Sequence, residues 1–364
     1  MGTDEGDFAL KIAVITDTHC ACRNGSEVIQ EYQNRFYSDI FFPYLAKHDI
    51  KHILHGGDFF DNRKFLSIKS LHMNRKAFLE PLRDNGIHMD IILGNHDVHY
   101  RTTNDVNSLK EVFGFFVNSI DIIQRPTVLQ YGSMRIGALP WIAPDNEKES
   151  IEFLKTVQCD VLLSHLELAG FEMMKGMPVA AHGMGKELLS RFKMVLSGHY
   201  HTKSTQDNIH YLGTPFELTW ADCHDPKYFH ILDTETGVLE PVRNPYTIHK
   251  KIYYTDVDEL PSIEVLDRLD LKNAFVKLFC AKKKDVAHFD NYVRRIQELS
   301  PHDFKIIESY EEVIDSDASP EISFDNTRQL IDKYVEISQT DLDKEKLISI
   351  FKSLLLEAET VDNS

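Results

Sequence analysis

No apolar run in the 364 residues approaches the roughly 20 needed to cross a bilayer. The first seven residues, MGTDEGD, are acidic and Gly-rich rather than basic and then apolar, so no secretory signal is expected. Cysteine is scarce and scattered, with five at positions 20, 22, 159, 223 and 280 and no zinc-like spacing. Reduced thiols in a soluble, cytoplasmic protein are the expectation. Positive charge is also short, with 40 Lys and Arg against 57 Asp and Glu for a net charge of −17. That balance disfavours broad phosphate contact, yet it is uneven. Twelve acids fall between Glu308 and Glu345 against Arg328, Lys333 and Lys344. Carboxylates that ligate cations are also neutralised in use, so net charge excludes little. Neither an internal repeat nor a low-complexity tract is present.

The sequence does contain a recurring form: a short apolar run, a small residue, then a polar residue able to bind metal. Residues 8–16 (FALKIAVIT) read as a buried strand ending at Asp17. Residues 52–55 enter Gly56-Gly57-Asp58, and residues 89–93 enter Gly94-Asn95-His96-Asp97. Residues 161–164 enter His165, and residues 194–197 enter Gly198-His199. Residues 27–47 and 68–83 carry helical spacing. Further strands are expected at 128–130, 135–139, 209–212 and 229–233, some with no helix between them. The expected fold is therefore α/β, with two mixed sheets packed together and helices outside. Past Pro245 the pattern predicts a strand at 274–281, a helix at 286–299 and a strand at 304–308, a small α+β module. Residues 311–326 (EEVIDSDASPEISFDN) read as an acidic linker broken by Pro320. Two amphipathic helices are expected beyond it.

Five motifs carry the chemistry: Asp17-Thr18-His19, Gly57-Asp58-Phe59-Phe60-Asp61, Gly94-Asn95-His96-Asp97, Ser164-His165 and Gly198-His199-Tyr200-His201. Each alone is common. Their order, each after an expected strand, is not. Two divalent ions about 3.5–4 Å apart need a shared carboxylate and a mixed oxygen and nitrogen shell. Asp17 and His19, like His199 and His201, are two apart and share a face on extended backbone.

These motifs resemble those of the calcineurin-like metallophosphoesterases over about residues 10–235. The resemblance implies that Asp17, His19, Asp58 and His201 hold one metal. It implies that Asp58 bridges to a second, held also by Asn95, His165 and His199. A bridging hydroxide would attack phosphorus, His96 would serve the leaving oxygen, and Asp97 would orient His96.

A narrower resemblance is to the SbcD-type nuclease subunits of double-strand-break repair, those of T-even phages in particular. It rests on GDFFDNRKF (57–65), GNHDVHY (94–100), SHLELAGFEMMKGM (164–177), LSGHYHT (196–202) and YLGTPFELTWAD (211–222). That family implies a Mn²⁺-dependent DNA exonuclease and endonuclease that works as a homodimer with an SbcC-type coiled-coil ATPase. The corresponding layout is a nuclease domain over 1–245, a capping and DNA-binding module over 246–310, the linker, and an ATPase-binding helical segment over 327–364. Asp61 departs from the pattern, because cellular members generally carry a His there, and it either braces its loop or alters the balance of the two activities. Arg63, Lys64, Tyr100, Arg101, Lys282, Lys283 and Lys284 are the candidate DNA contacts. Leu347, Phe351, Leu354 and Leu355, with Ile350, form an apolar stripe suited to a partner. The rival readings are a phosphoprotein phosphatase or cyclic-nucleotide phosphodiesterase, a scaffold without metals, and a DNA-end tether.

Overall fold

The computed structural model of the chain describes residues 10–113, 118–172 and 183–308. The chain divides into two compact units, Met1–Glu312 and Val313–Ser364. The second lies outside the described residues, and with it the expected helices and the stripe at Leu347, Phe351, Leu354 and Leu355. The linker at 311–326 lies outside them too.

Two six-stranded mixed sheets stack face to face, with helices on the outside. The first holds β1 (Lys11–Ile15), β2 (His52–His55), β3 (His88–Ile92) and β4 (Ile120–Ile123) as parallel neighbours. Antiparallel β11 (Lys227–Asp233) and β12 (Leu239–Asn244) extend it beyond β1. The second runs β5 (Thr127–Tyr131), β6 (Met134–Leu139), β7 (Val161–His165), β8 (Met194–Gly198), β10 (Ile209–Tyr211) and β9 (Ser204–Gln206). Its four middle strands are parallel.

The period of two decides which layer each side chain joins. Ile12, Val14, Leu54 and Ile92 meet Ile136, Ala138, Val161, Leu163 and Leu196 between the sheets. Ala13, Ile15, Ile53, Met89 and Ile91 instead pack outward against Phe36, Phe41 and Phe78. Leu162, Val195 and Tyr211 cover the far face of the second sheet with Leu154, Phe171 and Leu189. Burial on both faces explains why the central strands read as continuous apolar runs. Each large aliphatic side chain so buried contributes about 1.5–3 kcal/mol.

Both long helical stretches contain a turn the spacing does not foretell. Glu27–Phe36 passes through a π-helical turn, Tyr37–Phe41, into Phe42–Lys47. Ile68–Asn74 does the same through Arg75–Leu79 into Glu80–Asp84. Each π turn ends just before a segment with proline in its first turn, Pro43 and Pro81. Proline has no N–H to return to the preceding turn, so the helix widens there instead of breaking. No helix among the described residues is long and apolar enough to cross a membrane.

Past residue 245 a parallel three-stranded sheet forms from β13 (His249–Thr255), β14 (Phe275–Lys282) and β15 (Asp303–Glu308). The helix Val286–Glu298 packs on it through Phe289, Tyr292 and Ile296. Asp285 caps that helix by accepting from the His288 amide at 2.9 Å. Glu217 ties this sheet to the rest of the unit. Its Oε2 accepts from the Ile248 and His249 amides, both at 2.8 Å, and lies 3.2 Å from His249 Nδ1.

β11 carries one polar side chain into the layer between the sheets. His230 is 1 % exposed, and neither ring nitrogen has a hydrogen-bond partner among the described residues. Burial, helped by the charges of Lys203 and His210, depresses its pKa to about 3 from the ordinary 6.5. The unfolded chain therefore takes up a proton that the folded chain refuses. The destabilisation from this one residue is absent above pH 6.5 and grows as the pH drops toward 3. His230→Phe is expected to remove about 1.4 kcal/mol of that loss per pH unit below 6.5, measured by urea unfolding at several pH values. An acid limb as steep as that of the unaltered chain would refute the assignment.

Candidate metal centre

Parallel strands present their C-terminal ends on one edge, and both sheets point that edge the same way. Asp17 and His19 follow β1, Asp58 follows β2, and Asn95, His96 and Asp97 follow β3. From the second sheet, His165 ends β7 while His199 and His201 follow β8. The chain turns abruptly at this edge. Asp17, His19, Asp58 and His199 take φ values of 51°, 41°, 53° and 87°. Left-handed backbone costs a non-glycine residue about 1–3 kcal/mol and persists only where the surroundings impose it. Amide bonds impose it here: Asp17 N donates to Gly57 O at 3.0 Å, His19 N to Asp58 O at 3.1 Å, and Asp61 N to Cys20 O at 3.0 Å. A Cβ on Gly94 would collide with the Asp58 side chain and amide, so only glycine allows that approach.

The side chains gather in two groups. Ligand atoms of Asp17, His19 and His201 lie within 4.8 Å of one another, as do those of Asp58, His165 and His199. Asp58 Oδ2 is 3.3 Å from His165 Nε2 and 3.8 Å from His19 Nε2, so one carboxylate faces both groups. Asn95 joins the second. Its Oδ1 stands 3.0 Å from His165 Nε2 and 2.9 Å from His199 Nδ1. His165 Nδ1 donates to Gly56 O at 2.7 Å, so in the neutral ring Nε2 presents a lone pair. Oxygen and nitrogen lone pairs thus converge at one point. Without a cation the Asn95 amide would turn over and donate to both imidazoles. With one, Oδ1 in the orientation described faces the cation position, while the amide nitrogen faces the Arg63 guanidinium. The donor set, mixed imidazole and carboxylate with a shared Asp58, fits two divalent cations.

Hydrogen bonds outside the ligands fix their direction. His19 Nδ1 faces Asp61 Oδ1 at 3.1 Å, which turns Nε2 toward Asp17 and Asp58. Asp61 thus orients a candidate ligand histidine. Asp17 Oδ2 accepts from Thr16 Oγ1 at 2.6 Å, and Asp17 Oδ1 from the His199 amide at 3.0 Å. Asp58 Oδ1 accepts from the His96 amide at 2.7 Å.

The expected pairing of Asp97 with His96 is not what the structure contains. Asp97 Oδ2 accepts from the Asp58 and Gly94 amides at 2.8 and 2.9 Å. Its Oδ1 accepts from Phe59 and Phe60 at 3.0 and 3.2 Å. Four backbone donors occupy the carboxylate, which clamps the loop after β2 to the loop after β3. His96 Nδ1 is oriented instead by the Asp61 carbonyl at 2.6 Å.

The electrostatics follow from crowding charge in a buried site. Burial would raise Asp58, but His165 and His96 outweigh it and hold the carboxyl well below its usual range. Burial opposes charge on His165, yet Asp58 lifts it to about 9. His199 is driven well down by burial and by His165. Burial and the neighbouring Asp58 push Asp97 up to about 7.

Several contributors carried no signal in the sequence. His55 is fully buried and braces both loops, with Nδ1 accepting from Gly57 N at 3.2 Å and Nε2 lying 3.1 Å from Thr18 Oγ1. Trp141 packs at 5.3 Å from the His199 ring. Lys227, buried with Asp222 and Asp225, donates to the His201 carbonyl at 3.0 Å. Cys20 and Cys22 are buried in this region as free thiols. Among the residues expected to meet DNA, Arg63 approaches the Asn95 amide to 3.3 Å. Lys64, Tyr100 and Arg101 are exposed, as are Lys282, Lys283 and Lys284. Two of the lysines are engaged: Lys283 pairs with Glu308 at 2.7 Å, and Lys284 donates to the Val257 carbonyl at 3.3 Å.

Residues 10–203 match the calcineurin-like phosphoesterase family. With that match and this site, the chain belongs to the calcineurin-like phosphoesterases. It is 30 % identical over 352 residues to exonuclease subunit 1 of Enterobacteria phage T4, spanning 96 % of this chain and 99 % of that protein. Among solved structures, an archaeal phosphodiesterase matches with a TM-score of 0.34 at 12 % identity, over 64 % of this chain and 99 % of that one. Vps29 of Chaetomium thermophilum matches at 0.28 and 14 %, over 66 % and 96 %.

The two carboxylates beside the ligands separate by experiment. Asp61→Ala removes the carboxylate facing His19 Nδ1 and is expected to lower Mn²⁺ affinity about 10–100-fold with the fold intact. Asp97→Ala strands four buried amides and is expected to destabilise the protein by about 3 kcal/mol or more as well as losing metal. Calorimetry with and without Mn²⁺ reads both. A stable Asp97→Ala protein that binds metal normally would contradict the clamp.

Proposed function

We propose that the chain is a Mn²⁺-dependent DNA exonuclease and endonuclease, the nuclease subunit of an SbcCD-type end-processing complex in the host cytoplasm. The observation that carries the reading is Asp58 facing both ligand groups, with His96 held beside it. The similarity to a phage exonuclease subunit along nearly the whole chain supports DNA over other phosphoesters. Asp17, His19, Asp58 and His201 would hold one cation, and Asp58, Asn95, His165 and His199 the other. Two bound divalent ions supply Lewis acidity toward the phosphoryl oxygens and a nucleophile at neutral pH.

The chain's own residues then perform the rest. The Asp61 carbonyl fixes the proton of His96 on Nδ1, so proton exchange with the leaving oxygen falls to Nε2. The Asp97 clamp keeps the Asp58 and Asn95 loops in register. Arg63, Lys64, Tyr100 and Arg101 follow the metal motifs and suit phosphate anchoring, and the exposed lysines 282–284 suit a second contact. The three-stranded module over 246–310 would cap the site. A homodimer and a coiled-coil ATPase complete the proposed assembly, the latter docking on 327–364.

Two measurements test this. End-labelled duplex DNA is expected to be degraded with Mn²⁺, and His96→Ser to lower the rate about 10²–10⁴-fold with metal content unchanged. Preferential turnover of a phosphopeptide would point to a phosphatase instead. Truncation before residue 325 is expected to abolish co-purification with the coiled-coil ATPase while the metal centre keeps its cations. Retained association would place the docking surface elsewhere.

A further inference from the structure

At the opposite edge of the sandwich from the metal centre, where the strands begin, a second group of metal-binding side chains gathers. His88 and Asp90 lie two apart on β3 and share a face. Asp121 on β4 is the direct neighbour of Asp90 across the strand pair. His88 Nε2 is 3.3 Å from Asp121 Oδ2 and 3.8 Å from Asp90 Oδ1. One ligand atom from each of the three falls within 4.8 Å of the other two.

A fourth side chain, outside that 4.8 Å group and packed edge-on against Tyr131, stands beside it. His52 on β2 is in register with His88, with ring centroids 6.4 Å apart. That is 1.1 Å more than the 5.3 Å between the His165 and His199 rings of the metal centre. His52 Nδ1 is buried with no hydrogen-bond partner among the described residues. The group also reaches the other sheet, because the Tyr131 hydroxyl of β5 donates to Asp90 Oδ2.

Two carboxylates side by side on one sheet face repel, and the Asp90 side chain is only 10 % exposed. A single imidazole, His88, stands between them. A divalent ion balances both and accepts nitrogen and oxygen donors together. Two imidazoles with two carboxylates suit Zn²⁺ and its borderline neighbours rather than Mg²⁺ or Ca²⁺.

We propose that His52, His88, Asp90 and Asp121 form a structural site for a third divalent cation of the Zn²⁺ class. The ion ties β2, β3 and β4 together and, through Tyr131, holds their edge against the second sheet. It lies apart from the catalytic ligands and takes no part in phosphoester chemistry.

The test is equilibrium dialysis of the full chain against Zn²⁺, with bound metal counted by mass spectrometry. The unaltered protein is expected to hold three ions per chain, and His88→Ala/Asp121→Asn two, with Mn²⁺-dependent activity unchanged. Asp121→Asn alone alters a side chain that is 66 % exposed. It leaves the core untouched and is expected to weaken the third ion at least tenfold, guarding against a double variant that misfolds. A ratio of two in the unaltered protein, or equal ratios in all three proteins, would reduce the group to a plain ion pair and overturn the proposal.

Discussion

A carboxylate that faces two cation positions at once must be held in one fixed direction where both ligand groups meet. Asp58 meets this demand by leaving β2 in left-handed backbone, and much of the surrounding structure serves to hold it there. The Asp97 carboxylate grips the Asp58 amide and the two that follow. Gly94 lets the next loop come within contact of it, and the His96 amide fixes one of its oxygens. The two sheets supply the frame, since their parallel strands end on one edge and bring β1, β2 and β3 opposite β7 and β8.

The strands that lead into the ligands were legible because burial on both faces leaves apolar, β-branched runs, and a polar residue after such a run stands out. The seven candidate ligand positions stood out for the same reason, through motifs rather than through contacts, and the structure gathers their side chains into two groups. What the sequence hid is hydrogen bonding between separate segments. Asp97 beside His96 invites the inference that neighbours in sequence are partners, yet the carboxylate turns to four backbone donors and the Asp61 carbonyl takes its place. His55 reads as an ordinary strand residue and proves to brace two loops. The strands β4, β12 and β13 escaped notice because their burial is mixed or partial, so no clean period marks them. The π turns escaped because Pro43 and Pro81 were compatible with continuous helices by spacing alone.

Charge follows the same logic. A net charge of −17 runs against a phosphodiester substrate, but the acids in and around the site are committed. Asp17, Asp58 and Asp61 face imidazoles, Asp97 faces amides, and Asp222 and Asp225 surround Lys227. Buried carboxylates are tolerated where a partner charge or several donors replace water. The acids between 308 and 345 are a separate population, almost wholly outside the described residues.

The account rests on two cations sharing Asp58. The direct measurement is anomalous diffraction from crystals grown with Mn²⁺, collected at the manganese edge. Two peaks about 3.5–4 Å apart with Asp58 between them are predicted. A single peak, or two peaks with Asp58 bound to only one, would contradict the shared-carboxylate centre and with it the proposed chemistry.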